Sequence, residues 1–108
     1  MSSSQQLKLR VLFVDDEPVI RKLMEKELRR MGHDPVICED GHAAIQLLDK
    51  NTYDAVITDL KMPEITGWEV IEHLKRVSPE TDFLICTAHG DVDDAIRALR
   101  EGAFDFVP

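Results

Sequence analysis

The chain has 108 residues and a formal net charge of −8, from 21 acidic residues against 13 Lys or Arg. That length suits one compact domain and leaves no room for a second core. No apolar run approaches the ~20 residues that cross a bilayer, and residues 1–6 lack the pattern of a signal peptide, so we expect a cytoplasmic protein without membrane contact. The acidic balance argues against direct nucleic-acid binding through this segment and suits a cation or a basic partner better.

The first half of the chain predicts two strands around one helix. Residues 7–14 end in an apolar run typical of a strand buried on both faces. A helix is predicted from Pro18, which a first helical turn tolerates, up to Gly32, which favours the position after a helix end. Residues 35–38 form a short strand. Its Pro35 predicts an edge position, because a central strand would lose a ladder hydrogen bond there.

The second half continues the alternation. The predicted elements are a helix capped by Asp40 and Gly41, a strand over 54–59, a helix over Gly67–Val77, a strand over 82–87, a helix over 91–101 and a strand over 103–107. Helical spacing places Val92, Ala95, Ile96 and Leu99 on the inward face of the fourth helix. Five strands alternating with four helices predict a doubly wound α/β fold with a parallel sheet, since parallel strands need crossover connections.

Polar residues stand where three of these strands end. The first strand ends at Asp15 and Asp16, the third at Asp59 and the fourth at Thr87. Ligands of open parallel sheets bind outside the carboxyl ends of the strands. Grouped carboxylates repel one another unless a cation neutralises them, and Mg²⁺ prefers such oxygen ligands. A single strand-end aspartate could simply cap the next helix, but the set predicts a metal site.

Four motifs resemble the receiver domain of bacterial two-component response regulators. They are Asp15-Asp16-Glu17, the loop 59–67, Thr87-Ala88 and the stretch 102–108, in this order and with suitable spacing. The resemblance covers residues 7–108, with 1–6 as a flexible N-terminal tail. It implies a flavodoxin-like sheet of order 2-1-3-4-5.

The resemblance also implies the chemistry of the site. Asp59 would accept a phosphoryl group from a sensor histidine kinase or a phosphotransfer protein, and the domain would be a switch rather than an enzyme, at most catalysing its own phosphorylation and dephosphorylation. Mg²⁺ or Mn²⁺ would be held by Asp16, Asp59 and the backbone carbonyl of Lys61. Asp15 would act through water or by orienting Asp16.

The remaining implied roles belong to the switch. Thr87 would donate its hydroxyl to the phosphoryl group, and Phe106 would turn inward as Thr87 moves; a plain core aromatic is the alternative for Phe106. Backbone N–H groups near Lys61 and Ala88 would serve the other phosphoryl oxygens. The side chains of Lys61 and His89 would flank the group, unless they are ordinary loop residues. The fourth helix and fifth strand would carry the change to an output domain or partner protein.

The sequence departs from the family pattern at its end. The family's signature lysine would follow Pro108, where the sequence stops, and the last helix is absent, so we expect either a C-terminally truncated receiver domain or one whose C-terminal segment lies beyond the given residues. A partly uncovered sheet face would favour association, as a dimer or a swapped oligomer. A partner surface is expected on the outward face of the fourth helix, at Asp93, Asp94, Arg97 and Arg100.

Three other classes of protein are alternatives to a receiver domain. A phosphatase of the haloacid-dehalogenase type needs an acid/base aspartate two residues after its nucleophile, where Lys61 stands. A flavodoxin-like cofactor binder needs a Ser/Thr/Gly-rich loop after the first strand, where residues 15–18 read Asp-Asp-Glu-Pro and would repel phosphate. A degenerate, phosphorylation-independent interaction module stays open for this chain.

Overall fold

The computed structural model describes residues 7–87 and 92–107, apart from the side chains of Val92 and Phe106. Within these residues the strands are β1 (Arg10–Val14), β2 (Asp34–Cys38), β3 (Ala55–Thr58), β4 (Asp82–Cys86) and β5 (Asp105–Val107). The helices are α1 (Pro18–Arg30), α2 (Gly41–Lys50), α3 (Gly67–Val77) and α4 (Val92–Glu101). The strands are parallel and lie in the order β2-β1-β3-β4-β5. The predicted α/β fold with a parallel sheet is confirmed.

The core lies on both faces of β1, which is flanked by β2 and β3. Leu12 pairs with Val36 on one side and Val56 on the other, and all three sit in a ladder of apolar residues. Leu12 and Val14 pack into the cluster formed with α2 and α3, whereas Phe13 points to the opposite face and is equally buried. Such two-sided burial is why β1 reads as a continuous apolar run rather than an alternating one.

The starts of two strands differ from the prediction by more than one residue, while the bounds of the other three differ by a single residue at one or both ends. β1 begins at Arg10 rather than residue 7, because its partner β2 begins at Asp34, directly opposite Arg10. Leu7, before the ladder, is 77% exposed. β5 begins at Asp105 rather than 103, since Ala103 still closes α4 by donating its N–H to the Ala98 carbonyl. The predicted edge position of β2 is confirmed.

The predicted inward face of α4 is wrong at Ile96 and Leu99, whereas Ala95 is half-buried and the Val92 side chain lies outside the described part of the structure. Ala98 is buried, whereas Ile96 is 44% and Leu99 76% exposed. The periodicity correctly found an apolar stripe, but the helix turns the side with the small Ala98 toward the core and leaves the larger residues out.

Two side-chain contacts join α4 to α3. The Arg97 guanidinium lies over the Trp68 ring at 4.2 Å, and Lys75 Nζ donates to Glu101 Oε1 at 2.8 Å. Arg97 contacts this neighbouring helix and is nevertheless exposed, as the predicted outward face requires, whereas Asp94 is half-buried. Asp93 and Arg100 are exposed as predicted.

The face of the sheet on the α1 side is partly open. A groove of about 380 Å³ runs along it, lined by Leu9, Asp54, Ala55, Asp82, Leu84 and Phe104. Val19 of α1 and Phe104 are among the most exposed large apolar residues described. Among the described helices, none is long and apolar enough to cross a membrane.

Candidate functional site: an acidic cluster at the strand ends

The turn after β1 carries the first two carboxylates. Asp15 is buried, and its N–H donates to the Cys38 carbonyl at 3.3 Å, so it continues the sheet by one residue. Its Oδ1 accepts a hydrogen bond from the Glu17 N–H at 2.9 Å, which turns the chain toward α1. Asp16 lies between them and is exposed. The apolar run of β1 thus ends by delivering one buried and one exposed carboxylate.

The end of β3 carries the third carboxylate. Asp59 is buried, and its N–H donates to the Val14 carbonyl at 3.0 Å, which holds it beside the end of β1. Its Oδ1 accepts from the Leu60 N–H at 2.7 Å. Leu60 and Met62 are buried in the core, so the loop after β3 is anchored by its own apolar side chains. The carboxylate is therefore held by the strand on one side and the loop on the other.

A close backbone approach shapes the loop of residues 59–67, which we call the β3–α3 loop. The Gly67 N–H donates to the Leu60 carbonyl at 2.8 Å, and a Cβ on Gly67 would overlap the Asp59 carbonyl oxygen. Thr66 caps α3 at this point through a reciprocal capping box with Glu69. The sequence motif contains Gly67, but its contact with Asp59 is visible only in the structure.

A second glycine presses on the same loop from α2. A Cβ on Gly41 would overlap the Ile65 side chain and carbonyl. The loop also contains Glu64 at φ 67°, in the left-handed region that non-glycine residues rarely adopt. Its carboxylate contacts His42 Nε2 at 3.0 Å. Neither Gly41 nor His42 was a predicted site residue. The one sequence feature that pointed to this position was Asp40, the predicted cap at the start of α2.

The three carboxylates converge. One oxygen each from Asp15, Asp16 and Asp59 lie within 4.8 Å of one another, and we call this set the acidic cluster. Burial raises the pKa of Asp15, and the negative charges of Asp59, Asp16 and Glu17 raise it further, against the lowering effect of the Glu17 N–H. A group of like charges, two of them buried and all offering oxygen ligands, is the environment that a hard divalent cation such as Mg²⁺ stabilises. The residues therefore fit the predicted metal.

The fourth predicted residue of the site lies at the end of β4. Thr87 is buried, and its N–H donates to the Val107 carbonyl of β5 at 3.0 Å. The field of the cluster reaches this strand: burial raises the pKa of the neighbouring Cys86 thiol, and the charges of Asp15 and Asp59 add to the effect. Thr87 thus links the end of β4, beside the acidic cluster, to β5.

Other predicted residues are placed only in part. Lys61 is exposed in the β3–α3 loop, two residues after Asp59. Phe106 lies in β5 opposite Ile85, but its side chain is outside the described part of the structure, and so is the predicted inward turn of its ring. Ala88 and His89 also fall outside the described residues.

Comparison with known proteins gives a consistent family. The family model of the response regulator receiver domain matches residues 11–108. The response regulator protein PilR of Pseudomonas aeruginosa is 38% identical over 98 residues, which are 91% of this chain and 22% of PilR. The transcriptional regulatory protein GlrR of Escherichia coli is 35% identical over 97 residues, 90% of this chain and 22% of GlrR. The chain thus spans about a fifth of the length of these two relatives.

A solved structure agrees in fold. The non-phosphorylated HemR receiver domain from Leptospira biflexa superposes with a TM-score of 0.87 at 25% sequence identity, and the match covers 94% of this chain and 82% of that one. The matched family model and the acidic strand ends point to one assignment: this chain belongs to the response regulator receiver domain family, the regulatory module of two-component signalling.

Proposed function

We propose that the chain is a phosphoacceptor switch in which Asp59 receives the phosphoryl group. The observation that carries the proposal is the convergence of Asp59 with Asp15 and Asp16 within 4.8 Å, in a chain whose family is the receiver domain. Because Asp59 Oδ1 accepts the Leu60 N–H, we assign Oδ2 as the attacking oxygen. It would bond to phosphorus as the bond between phosphorus and the donor's imidazole nitrogen breaks, and the imidazole would leave with that electron pair.

The acidic cluster would hold Mg²⁺ through Asp16, Asp59 and the Lys61 carbonyl, with Asp15 acting through water or by orienting Asp16. When bound, the cation would offset the repulsion between the carboxylates and an incoming phosphoryl dianion. The protein's own work is positioning, which is most of what phosphoryl transfer asks. Burial of Asp59 and its bonds to Val14 and Leu60 support this role, since they fix the nucleophile before the donor arrives.

The response would start at Thr87. We propose that its hydroxyl donates to the attached phosphoryl group, and that Phe106 follows by turning inward. Thr87 lies at the end of β4, where its backbone bonds to β5, so a movement of this residue would reach β5 and the adjacent α4. That surface would act on an output domain or a partner protein. One of the named relatives, GlrR, is a transcriptional regulatory protein, which favours control of transcription as the output.

The phosphoryl donor would be a sensor histidine kinase or a phosphotransfer protein. Its phosphohistidine would approach the end of the sheet where Asp59 lies. The exposed Lys61 stands two residues from Asp59 and would be close to the charge of the phosphoryl group. The domain would catalyse at most its own phosphorylation and dephosphorylation.

The test is the intact mass after incubation with acetyl phosphate and Mg²⁺. We expect the wild type to gain one phosphoryl group and Asp59→Asn to gain none. Asp54→Asn is the matched control, because Asp54 precedes β3 as Asp59 follows it and is exposed. Equal labelling of wild type and Asp59→Asn, or no labelling of either with acetyl phosphate or with a phosphorylated histidine kinase, would overturn the proposal.

A further inference from the structure

The carbonyl of Asp15 stands at a break in the sheet. The Asp15 N–H donates to β2, at the Cys38 carbonyl, and in a strand the N–H and C=O of one residue point the same way. The Asp15 carbonyl therefore faces β2 as well. There β2 has ended at Cys38, and the chain turns into α2 with Asp40 as its N-cap. The donor that reaches this carbonyl is a side chain, Arg21 Nη1 at 2.9 Å.

Arg21 closes a ring of hydrogen bonds around the turn. Its own N–H donates to the Glu17 carbonyl at 3.0 Å and begins α1, while the Glu17 N–H donates to Asp15 Oδ1 at 2.9 Å. Together with the bond from Nη1 to the Asp15 carbonyl, these contacts tie the end of β1 to the first turn of α1. Asp16 lies inside this ring and is exposed, so the direction of its carboxylate depends on how firmly the turn is held.

We propose that Arg21 is a positioning residue for the acidic cluster: by holding the Asp15 carbonyl it sets the turn that directs Asp15 and Asp16 toward Asp59. The proposal rests on the proposed function, in which this cluster binds a divalent cation. Arg21 is half-buried on α1 and acts through the backbone of Asp15. Outer hydrogen-bond partners of metal ligands act in this way, since they fix the geometry in which the ligands meet the ion.

Charge and position make opposite predictions for this arginine. A positive guanidinium near a cation site repels the cation, so its removal should strengthen binding if charge alone matters. If Arg21 positions the ligands, its removal should weaken binding. The sign of the change in metal affinity therefore distinguishes the two roles, which a loss of activity alone would not do.

The experiment measures Mn²⁺ binding by electron paramagnetic resonance for wild type, Arg21→Gln, Arg21→Lys and Lys22→Gln. Lys22→Gln is the matched control, because the neighbouring Lys22 is exposed and its loss changes the net charge equally. We expect Arg21→Gln to raise the Kd for Mn²⁺ roughly tenfold, as loss of a ligand-orienting partner does. Lys22→Gln should stay within about twofold, since an exposed charge is largely screened. Arg21→Lys, which keeps a donor on a shorter side chain, should fall between wild type and Arg21→Gln.

Amide hydrogen exchange without metal gives a second readout. The Glu17 N–H, which donates to Asp15 Oδ1, should exchange several-fold faster in Arg21→Gln and unchanged in Lys22→Gln. If Arg21→Gln does not fold, Arg21→Lys replaces it, and both its Kd and the Glu17 exchange should rise above wild type. The positioning role is overturned if Arg21→Gln binds Mn²⁺ as tightly as wild type or more tightly. The same outcome for Arg21→Lys overturns it where Arg21→Gln does not fold. A wild type that binds no Mn²⁺ overturns the proposed metal site, whereas the Glu17 exchange still tests whether Arg21 holds the turn.

Discussion

The strand ends that carry Asp15 and Asp59 differ sharply from the α4–β5 edge of the same sheet. At the first, both aspartates are about 5% exposed, and each has its N–H and a carboxylate oxygen in a hydrogen bond. The backbone of Gly67 closes directly on the Asp59 carbonyl. At the second, Leu99 and Phe104 are each more than 70% exposed.

Few of the described contacts hold α4 against the rest of the domain. Ala98 is its buried apolar residue among those described, and two surface contacts, Arg97 with Trp68 and Lys75 with Glu101, join it to α3. Such exposed contacts are individually weak. The two regions suit different roles. Chemistry at Asp59 needs carboxylates that are fixed in advance, whereas a conformational response needs an element, such as α4, whose position a small free energy can change.

The largest effect on stability should come from a methyl group added at Gly67, beside the strand ends. Gly67→Ala places a Cβ against the Asp59 carbonyl and the Leu60 backbone, so we expect a loss of about 3 kcal/mol in the free energy of unfolding. Gly102→Ala is the counterpart at the α4–β5 edge. Its Cβ meets nothing within 4 Å, and the cost of about 1 kcal/mol comes from the φ of +90°. Urea unfolding of both variants checks this. Equal losses would remove the contrast in packing between the two regions.

An intermediate effect concerns the charge of the acidic cluster. The pKa of Asp15 is raised on folding, chiefly by burial, so the folded state holds this proton more tightly than the unfolded state. The associated stability is complete at pH below the ordinary value of 3.8 and is lost as the pH rises through the folded pKa. Asp15→Asn removes this loss and keeps an oxygen to accept the Glu17 N–H. We expect the metal-free variant to be more stable than wild type at pH 7, by about 1 kcal/mol, a usual size for one substitution.

The measurement for Asp15 is the free energy of unfolding from pH 3.5 to 8, without metal. The gap between variant and wild type should open as the pH rises. The exposed Asp54→Asn is the control and should follow the wild-type curve. Saturating Mg²⁺ should stabilise the wild type more than Asp15→Asn, since a ligand stabilises the state that binds it. A variant that is less stable than wild type at pH 7 would contradict this account of the cluster.

The smallest effect belongs to the contacts of α4. Arg97→Gln removes the guanidinium from the Trp68 ring and should cost about 0.5–1 kcal/mol. Trp68 is the sole tryptophan of the sequence, so its fluorescence reports on this contact directly. Arg100→Gln, with the same change of charge on an exposed side chain of the same helix, should leave both fluorescence and stability unchanged. Identical spectra for the two variants would show that the stack contributes nothing in solution.

Much of the fold could be predicted because strong local signals agreed with it. The apolar run before Asp15 predicts a strand buried on both faces, and Pro35 predicts an edge strand. The acidic residues also fall at strand ends, and parallel topology alone then brings them to one side of the sheet. Asp15, Asp16 and Asp59 were therefore predictable as a group, and the structure brings them together.

What could not be predicted depends on contacts between distant elements. Helical spacing finds the apolar stripe of α4 but not which side meets the core, and so Leu99 was wrongly placed inward. The bond from Arg21 to the Asp15 carbonyl arises only because β2 ends before it can supply a donor. Likewise, the sequence indicates that Gly67 starts a helix, but its approach to Asp59 follows from the packing of the whole β3–α3 loop.

Pro35 has a consequence for how copies of this protein meet. The Asp34 N–H donates toward β1, to the Leu9 carbonyl, so the alternating residues Pro35 and Ile37 face outward from the edge strand β2. Proline has no N–H, and therefore Ile37 supplies the outward donor within this strand. An incoming strand from another molecule would find half of the expected donors there. Pro35 thus protects the β2 edge of the sheet against strand addition and aggregation, at no cost to the ladder with β1.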